Sequence, residues 1–187
     1  MNCIVNEFNT TIEVKKSKFL SYLVPISRFK TLQAELKEQH PKANHIVYAY
    51  RELNEHKQVV ENSSDDGEPK GAAGVPTLNA MRGAKLINCA ILTVRYFGGI
   101  KLGVGGMARA YGAAANEVIN SATLQEYKEL LPYTIEANYN QQRQIEYNLK
   151  ELEIESIERE FLSDKVLYKL KTTQEKIDLL TELGVRM

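Results

Sequence analysis

The residues best suited to chemistry lie in one glycine-rich stretch, residues 95–112. Five of the chain's 11 glycines fall within nine residues there, directly after an apolar run and directly before a helical pattern. Glycine loses more backbone freedom on folding than any other residue, so such a cluster indicates positive φ angles or a backbone that a ligand approaches closely. We favour a binding site, because a tight strand-to-helix turn requires only one or two glycines. A positive φ is expected at Gly99 or Gly105.

Basic residues accompany this cluster. Between residues 69 and 125 the chain has six Lys or Arg residues and a single acid, Glu117. Arg95 ends the apolar run, Lys101 lies among the glycines, and Arg109 lies on the first turn of the following helical pattern. Because the first amides of a helix lack internal partners, the stretch predicts a site for a phosphate or a nucleic-acid backbone, with a solvated basic face as the alternative. The predicted ligand-binding residues are Arg95, Gly98, Gly99, Lys101, Gly103, Gly105, Gly106 and Arg109.

A second candidate is the turn-rich segment 61–76, which contains Asp65, Asp66 and Glu68. It has almost no apolar side chain to bury and is expected to form a long exposed loop. Its carboxylates could hold a divalent cation together with a phosphate, as in a metal-dependent phosphate-ester hydrolase. A solvated turn is favoured, because Asp, Gly and Pro together are common turn chemistry. We expect this loop and the glycine cluster to meet in one cleft, and we predict no metal or cofactor.

Other enzymatic chemistry finds less support. The segment 103–108 matches a dinucleotide-binding pattern, but its first glycine lies too far beyond the strand, and no Lys-Ser/Thr pair completes a P-loop. His40, His45 and His56 are scattered, and His45 is expected to be structural. We therefore expect a binding protein rather than an enzyme. The aromatic residues that could stack on bases, but are expected to pack in the core, are Tyr48, Tyr50, Tyr96 and Phe97.

Composition narrows the class of protein. The 187 residues carry 24 basic and 24 acidic side chains, so a protein that coats polyanions through bulk charge is excluded. The charge is uneven, since residues 1–125 have 15 basic against 11 acidic side chains and the remainder is acidic. Cys3 and Cys89 are too few for a disulfide framework and indicate a reduced, cytoplasmic chain. No apolar run reaches the roughly 20 residues that span a bilayer, so no membrane partner is expected.

Local patterns predict an N-terminal sheet with helices packed on it. The opening stretch, residues 3–5 and then 11–14 to 19–24, is expected to form two strands joined through residues 15–18, and further strands are expected at 46–51, 57–60 and 88–94. Helices are expected after an N-cap at Ser27, after an N-cap at Thr77, and from about Gly106 to Ala122. Alternation along residues 91–97 directs Ile91, Thr93, Arg95 and Phe97 to one face and Leu92, Val94 and Tyr96 to the other.

A second domain is expected where the glycines cease and acidic residues take over, within residues 125–132. The remaining chain predicts a strand at 133–139, a helix at 141–152, strands at 154–162 and 165–171, and a helix at 174–183. This order is most of a ferredoxin-like unit, with the last strand missing. We expect domains at 1–125 and 126–187.

Several segments together resemble the IMPACT/YigZ family. They are Lys15-Lys-Ser-Lys-Phe19, His45 to Tyr50, Ser64-Asp-Asp-Gly-Glu-Pro69, Gly71-Ala-Ala-Gly-Val-Pro76, Val94 to Gly106 and Ala110-Tyr-Gly112. The resemblance implies an α+β protein whose N-terminal four-stranded sheet carries two helices on one face, as in ribosomal proteins and elongation factors. It also implies a C-terminal ferredoxin-like domain similar to the last domain of elongation factor G.

The same resemblance implies a role in the regulation of translation. Eukaryotic members compete for a kinase activator during amino-acid starvation, and association with nucleic acid or the ribosome is proposed for bacterial members. The implied partners are RNA, the ribosome or a protein of the translation apparatus. The chain departs from the family at Val47, where Cys is common, and at Ala72 and Val104, where Thr is common. These departures disfavour a mechanism that needs a thiol or hydroxyl group, whereas a backbone anion site is unaffected.

Overall fold

The computed structural model describes residues 1–183, and the chain divides into two compact units, Met1–Tyr127 and Lys128–Met187. The elements of the first unit are β1 (Asn2–Cys3), β2 (Phe8–Val14), β3 (Ser17–Pro25), α1 (Phe29–Gln39), β4 (His45–Leu53), β5 (Val59–Ser64), α2 (Gly74–Gly83), β6 (Cys89–Tyr96), α3 (Val104–Ser121) and β7 (Gln125–Glu126). The short strands β1 and β7 pair with each other, and the five longer strands form the main sheet.

The main sheet is antiparallel, with the strand order β2-β3-β6-β4-β5. The four strands implied by the resemblance were wrong, since the sheet has five. The edge strand β5 (Val59–Ser64) pairs along β4, in the region where the local patterns predicted a strand at 57–60. Strand β6 lies at the centre, between β3 and β4. Its near-continuous apolar sequence suits this position, because residues on both faces of the strand are buried.

Helices cover both faces of this sheet. The face that includes Leu23 and Ile91 packs against α2 and α3, whereas the face that includes Leu92 and Val94 packs against Leu36 and its neighbours in α1. The expected pair of helices on one face is therefore α2 and α3, and α1 is an addition on the opposite face. The alternation predicted along β6 is confirmed, since Ile91 and Leu92 lie on opposite sides of the sheet.

The segment predicted as a long exposed loop, residues 61–76, is regular structure at both of its ends. Strand β5 extends to Ser64 and α2 begins at Gly74, so only residues 65–73 connect them. Thr77 does not cap this helix, because it lies inside it and its hydroxyl donates to the Ala73 carbonyl at 2.9 Å. Similarly, Ser27 lies in a 3-10 turn that precedes α1.

The second unit has the predicted order of strands and helices. Its elements are β8 (Leu131–Asn138), α4 (Gln142–Glu151), β9 (Ile157–Phe161), β10 (Lys165–Thr172) and α5 (Gln174–Glu182). They form an antiparallel sheet of order β8-β10-β9 with its own apolar core, which includes Ile135, Leu149 and Tyr168. The prediction that a last strand is missing concerns residues 184–187, which lie outside the described residues. In the described part of both units, no helix is long and apolar enough to cross a membrane.

Candidate ligand-binding cavity

A cavity of about 410 Å³ lies at the carboxyl end of β6. Its walls come from the start of β4, the connection 65–73, the end of β6 and the glycine-rich loop that leads into α3. The residues that line it are Asn44, His45, Glu68, Pro69, Arg95, Phe97, Lys101, Leu102, Gly103, Val104 and Met107. The acidic segment and the glycine-rich loop therefore meet here, through Glu68 on one side and Lys101 and Gly103 on the other.

The charge of Arg95 is already paired within the cavity wall. Its Nη1 donates to Oε1 of Glu68, and the side chains are only 7% and 4% exposed. The Tyr111 hydroxyl donates to the same oxygen at 2.9 Å. Burial and the Glu68 carboxylate raise the pKa of the Tyr111 phenol, so the hydroxyl stays protonated and remains a donor. Arg95 therefore contributes less net positive charge than its position in the sequence indicates.

Arg95 nevertheless keeps one donor without a partner. Its Nε is buried, and no group in the described residues accepts a hydrogen bond from it. The guanidinium carbon lies 5.6 Å from the ring centre of Phe19 and 5.8 Å from that of Phe97. A buried N–H without an acceptor is costly, and this one has almost no accessible surface, so a ligand in the cavity does not reach it.

His45 was expected to be structural, but the structure places it in the cavity wall. Its Nδ1 lies 2.7 Å from the carbonyl oxygen of Asp66, and its Nε2 lies 3.8 Å from Oε2 of Glu68. The pairing of Tyr48 with Ser64 brings the residues that follow β5 next to the start of β4. This long-range pairing leaves no signal in the local sequence around His45, which is why the sequence analysis missed its position.

Asp65 stabilises the start of α2. Its carboxylate accepts hydrogen bonds from the amides of Gly71, Ala73 and Gly74 at 2.7, 3.0 and 2.8 Å. Burial raises the pKa of Asp65, but these three hydrogen bonds outweigh it and hold the pKa below its usual value. A carboxylate near a helix N-terminus also interacts favourably with the helix dipole. The helix therefore begins at Gly74, three residues before the predicted cap.

The acidic segment does not assemble a cation site. Asp66 accepts a hydrogen bond from the Ile46 amide at 2.6 Å, and Glu68 is engaged with Arg95 and Tyr111. Across residues 1–183, no group of three His, Cys, Asp or Glu side chains is arranged to hold a metal ion. These carboxylates stabilise the loop and the cavity wall, so the arrangement does not favour the hydrolase alternative.

The glycines of the cluster have different structural roles. Gly99 and Gly103 have φ values of +83° and +71°, which confirms the positive φ expected at Gly99. Gly98 approaches the turn between β2 and β3 so closely that an added Cβ would overlap the Lys16 carbonyl group. Gly105 lies within α3 and does not have a positive φ. Gly99 and Gly103 therefore adopt backbone angles that favour glycine, and at Gly98 there is no room for any side chain.

The start of α3 carries positive charge without a compensating acid. Its first turn has no acidic residue, and no side chain caps it. Arg109 lies on the second turn and reaches back, since a Cβ on Gly105 would be 3.6 Å from its Nη1. Neither Lys101 nor Arg109 forms an ion pair within the described residues. Gly106 and Arg109 line a second cavity of about 300 Å³, which shares only Leu102 with the first.

The other predicted residues line neither of these two cavities. They are Gly98, Gly99, Gly105, Asp65 and Asp66. Among the aromatic side chains, Tyr48 and Tyr50 pack on Phe29, with ring centres 5.0 and 5.4 Å away, as expected for core residues. Phe97 is 46% exposed at the cavity and is the aromatic residue of this set that is available to a ligand.

Comparison with known proteins identifies relatives of this chain. The sequence profile described as the Impact N-terminal domain matches residues 15–119. IMPACT family member YvyE of Bacillus subtilis is 37% identical over 144 residues, which are 75% of this chain and 65% of YvyE. IMPACT family member YigZ of Escherichia coli is 34% identical over 137 residues, which are 72% of this chain and 67% of YigZ. The chain thus spans about two thirds of the length of these two relatives.

A solved structure is similar over nearly the whole chain. It is described as the crystal structure of a hypothetical protein, with a TM-score of 0.66 and 28% sequence identity. The similarity covers 98% of this chain and 90% of that one. The profile match alone covers more than half of the chain, and it includes every residue of the cavity wall. The chain belongs to the IMPACT family, where its similarity to YigZ and YvyE places it with the bacterial members.

Proposed function

We propose that this chain is a translation-associated RNA-binding protein, and that the 410 Å³ cavity receives one nucleotide of a single-stranded segment. The observation that carries the proposal is the uncompensated positive charge at the start of α3, where Lys101 and Arg109 have no acidic partner in the described residues. A cation near the positive end of a helix is unfavourable unless an anion joins it. A phosphate at the start of α3 would meet the open helix amides, with Lys101 on the side of the 410 Å³ cavity and Arg109 on the side of the second cavity.

The cavity has a size and a lining that suit a single nucleotide. Its volume of about 410 Å³ lies within the range of roughly 300–1,000 Å³ that is typical of small-molecule sites. The exposed ring of Phe97 offers a face for a base, and such stacking contributes about 1–3 kcal/mol per base. Sequence-selective RNA recognition mostly uses unpaired bases that stack on aromatic side chains, which favours a single strand over a duplex.

Membership of the IMPACT family supports the link to translation. The family resemblance implies regulation of translation by eukaryotic members and nucleic-acid or ribosome association by bacterial ones. Lys101 and Arg109 belong to a first unit that is net basic, whereas the residues after 125 are net acidic. RNA, free or within the ribosome, is therefore the partner that agrees best with both the role implied by the family and the positive charge at the cavity.

The salt dependence of binding tests the proposal. Affinity for single-stranded RNA should fall as salt rises, and Lys101→Ala should reduce the magnitude of the log–log slope by about one unit. Lys37→Ala is the matched control, since Lys37 is exposed on α1 on the opposite face of the sheet. Absence of binding at low salt, or an equal effect of the two substitutions, would overturn the proposal.

A further inference from the structure

We propose that the second cavity, of about 300 Å³, binds the phosphate of a further nucleotide, so that one RNA strand is held on both sides of the start of α3. This inference rests on the proposed RNA binding and adds a second contact site for the same strand. The walls of the second cavity come from the end of β2, the turn between β2 and β3, and the first turns of α3. Leu102 lines both cavities, so the two are direct neighbours.

The charged residues that line the second cavity all have the same sign. They are Lys15 and Arg109, and no acidic residue lines this cavity. Within residues 1–183, neither side chain forms an ion pair or a hydrogen bond. The guanidinium of Arg109 is directed back towards the start of α3, where its Nη1 lies 3.6 Å from the position that a Cβ on Gly105 would take. Two unpaired cations in one small cavity repel each other, and an anion bound between them removes that repulsion.

The rest of the lining is apolar or small. It consists of Val14, Leu102, Gly106, Ala110 and Ala113. A cleft with charges of one sign and walls of low dielectric constant focuses the electrostatic field and raises the local concentration of a ligand of opposite charge. The second cavity therefore offers two cations to a phosphate and apolar groups to the sugar that is attached to it.

The turn that carries Lys15 has an unfavourable sequence for its backbone shape. Strands β2 and β3 pair as far as Val14 and Ser17, which leaves a two-residue turn in which Lys15 and Lys16 have φ values of +46° and +64°. Positive φ at both positions of such a turn favours Asn and Gly. Asn at position 15 would therefore suit the backbone better than Lys, so Lys15→Asn removes the charge without disturbing the turn.

A second phosphate of the same strand suits the two neighbouring cavities better than an independent anion. Successive phosphates of RNA are joined through one sugar, so binding of the first raises the effective concentration of the next. Lys101 would neutralise one phosphate, and Lys15 and Arg109 would neutralise the other. The strand would then cross Leu102, which is partly exposed between the two cavities.

The test measures the affinity for a short single-stranded RNA at several salt concentrations. Lys15→Asn should reduce the magnitude of the log–log slope by about one unit. Lys16→Asn is the matched control, because it removes the same charge from the same turn but from a residue that does not line the cavity, and it should leave the slope nearly unchanged. Combining Lys15→Asn with Lys101→Ala should reduce the slope by about two units, since the two lysines neutralise different phosphates.

Arg109→Gln provides an independent variant, because it removes the other cation of the second cavity and leaves the turn unchanged. It should lower the slope as much as Lys15→Asn does, and thermal unfolding checks that each variant is folded. Equal slopes for Lys15→Asn and Lys16→Asn, with a lower slope for Lys101→Ala, would overturn the second site and leave the proposed function intact. Absence of RNA binding by the wild type at low salt would overturn the proposed function and this inference with it.

Discussion

Glu68 and Arg95 form a charge pair inside the wall of the candidate cavity, with exposed side-chain fractions of 4% and 7%. Such a pair contributes little net stability compared with apolar residues, but loss of one partner leaves a buried charge uncompensated. The pairing also changes the electrostatics of the site. The positive charge that remains for a ligand in this cavity comes mainly from Lys101, and Arg109 adds positive charge at the neighbouring cavity; neither has an ionic partner in the described residues.

Arg95→Met should lower the free energy of unfolding by about 3–5 kcal/mol, because Glu68 would keep its charge in a buried position. Combining Arg95→Met with Glu68→Gln should cost less than the sum of the two single substitutions, since both charges are then removed. Urea unfolding of the wild type, the two single variants and the double variant at neutral pH measures this. Strictly additive losses would show that the two charges do not stabilise each other.

Asp65→Asn should destabilise the first unit by about 1–3 kcal/mol at neutral pH, because the side-chain NH₂ cannot accept from the amides that surround it. The pKa of Asp65 is lowered in the folded protein. Its stabilisation is therefore fully present above the unfolded pKa of about 3.9 and is lost as pH falls through the lower folded value. The difference in unfolding free energy between wild type and variant should accordingly narrow in acid.

Denaturant unfolding at neutral pH and at about pH 3 measures this narrowing. Glu38→Gln is the matched control, because Glu38 is an exposed carboxylate on α1 and its substitution should change stability little at either pH. A difference between wild type and Asp65→Asn that stays constant into acid would contradict the role given to Asp65.

At the scale of elements, the glycine-rich loop connects β6 to α3, and its glycines differ in how much space there is for a side chain. Gly98 leaves no room for a side chain against the β2–β3 turn. Gly105 is exposed, lies in α3, and has only the flexible end of Arg109 near the position of a Cβ. The two residues therefore form a matched pair for substitution.

Gly98→Ala should destabilise the protein by about 2 kcal/mol or more, because its Cβ would overlap backbone atoms that cannot move aside. Gly105→Ala should instead stabilise it by about 0.5–1 kcal/mol, since alanine restricts the unfolded chain and favours the helix. Thermal unfolding of the two variants compares these effects. Similar unfolding temperatures for the two variants would contradict the claim that a side chain is excluded at Gly98 and accommodated at Gly105.

Sequence patterns correctly predicted helices and strands whose position depends on the pattern of apolar residues within the element itself. The alternation along β6 and the spacing of apolar residues in α3 identified both elements and the faces that they bury. The predicted start of α2 was wrong, because Asp65, which lies outside the helix, accepts hydrogen bonds from the amides at its beginning. The position of His45 was missed for a similar reason, since it depends on the register between β4 and β5. Local sequence patterns could therefore not predict the features that depend on contacts between segments distant in the sequence.

At the scale of the whole molecule, the two units have separate apolar cores and opposite net charges. Each has its own apolar core, and all residues of the candidate cavity belong to the first unit. In the described part of the second unit, several basic side chains on the sheet form ion pairs with acidic ones, as in Lys165–Glu136 and Lys169–Glu160. The chain beyond residue 125 is also net acidic. The proposed RNA binding is therefore assigned to the first unit.

The most direct measurement is an NMR titration of the ¹⁵N-labelled full chain with single-stranded RNA at low salt. If RNA binds at the cavity, the backbone amides of Lys101, Val104, Gly105 and Gly106 should shift most, because they surround the predicted phosphate position. Amides in residues 128–183 serve as the internal control and should shift little. Shifts confined to that control region, or no shifts in the glycine-rich loop when RNA is bound, would show that this cavity is not the binding site.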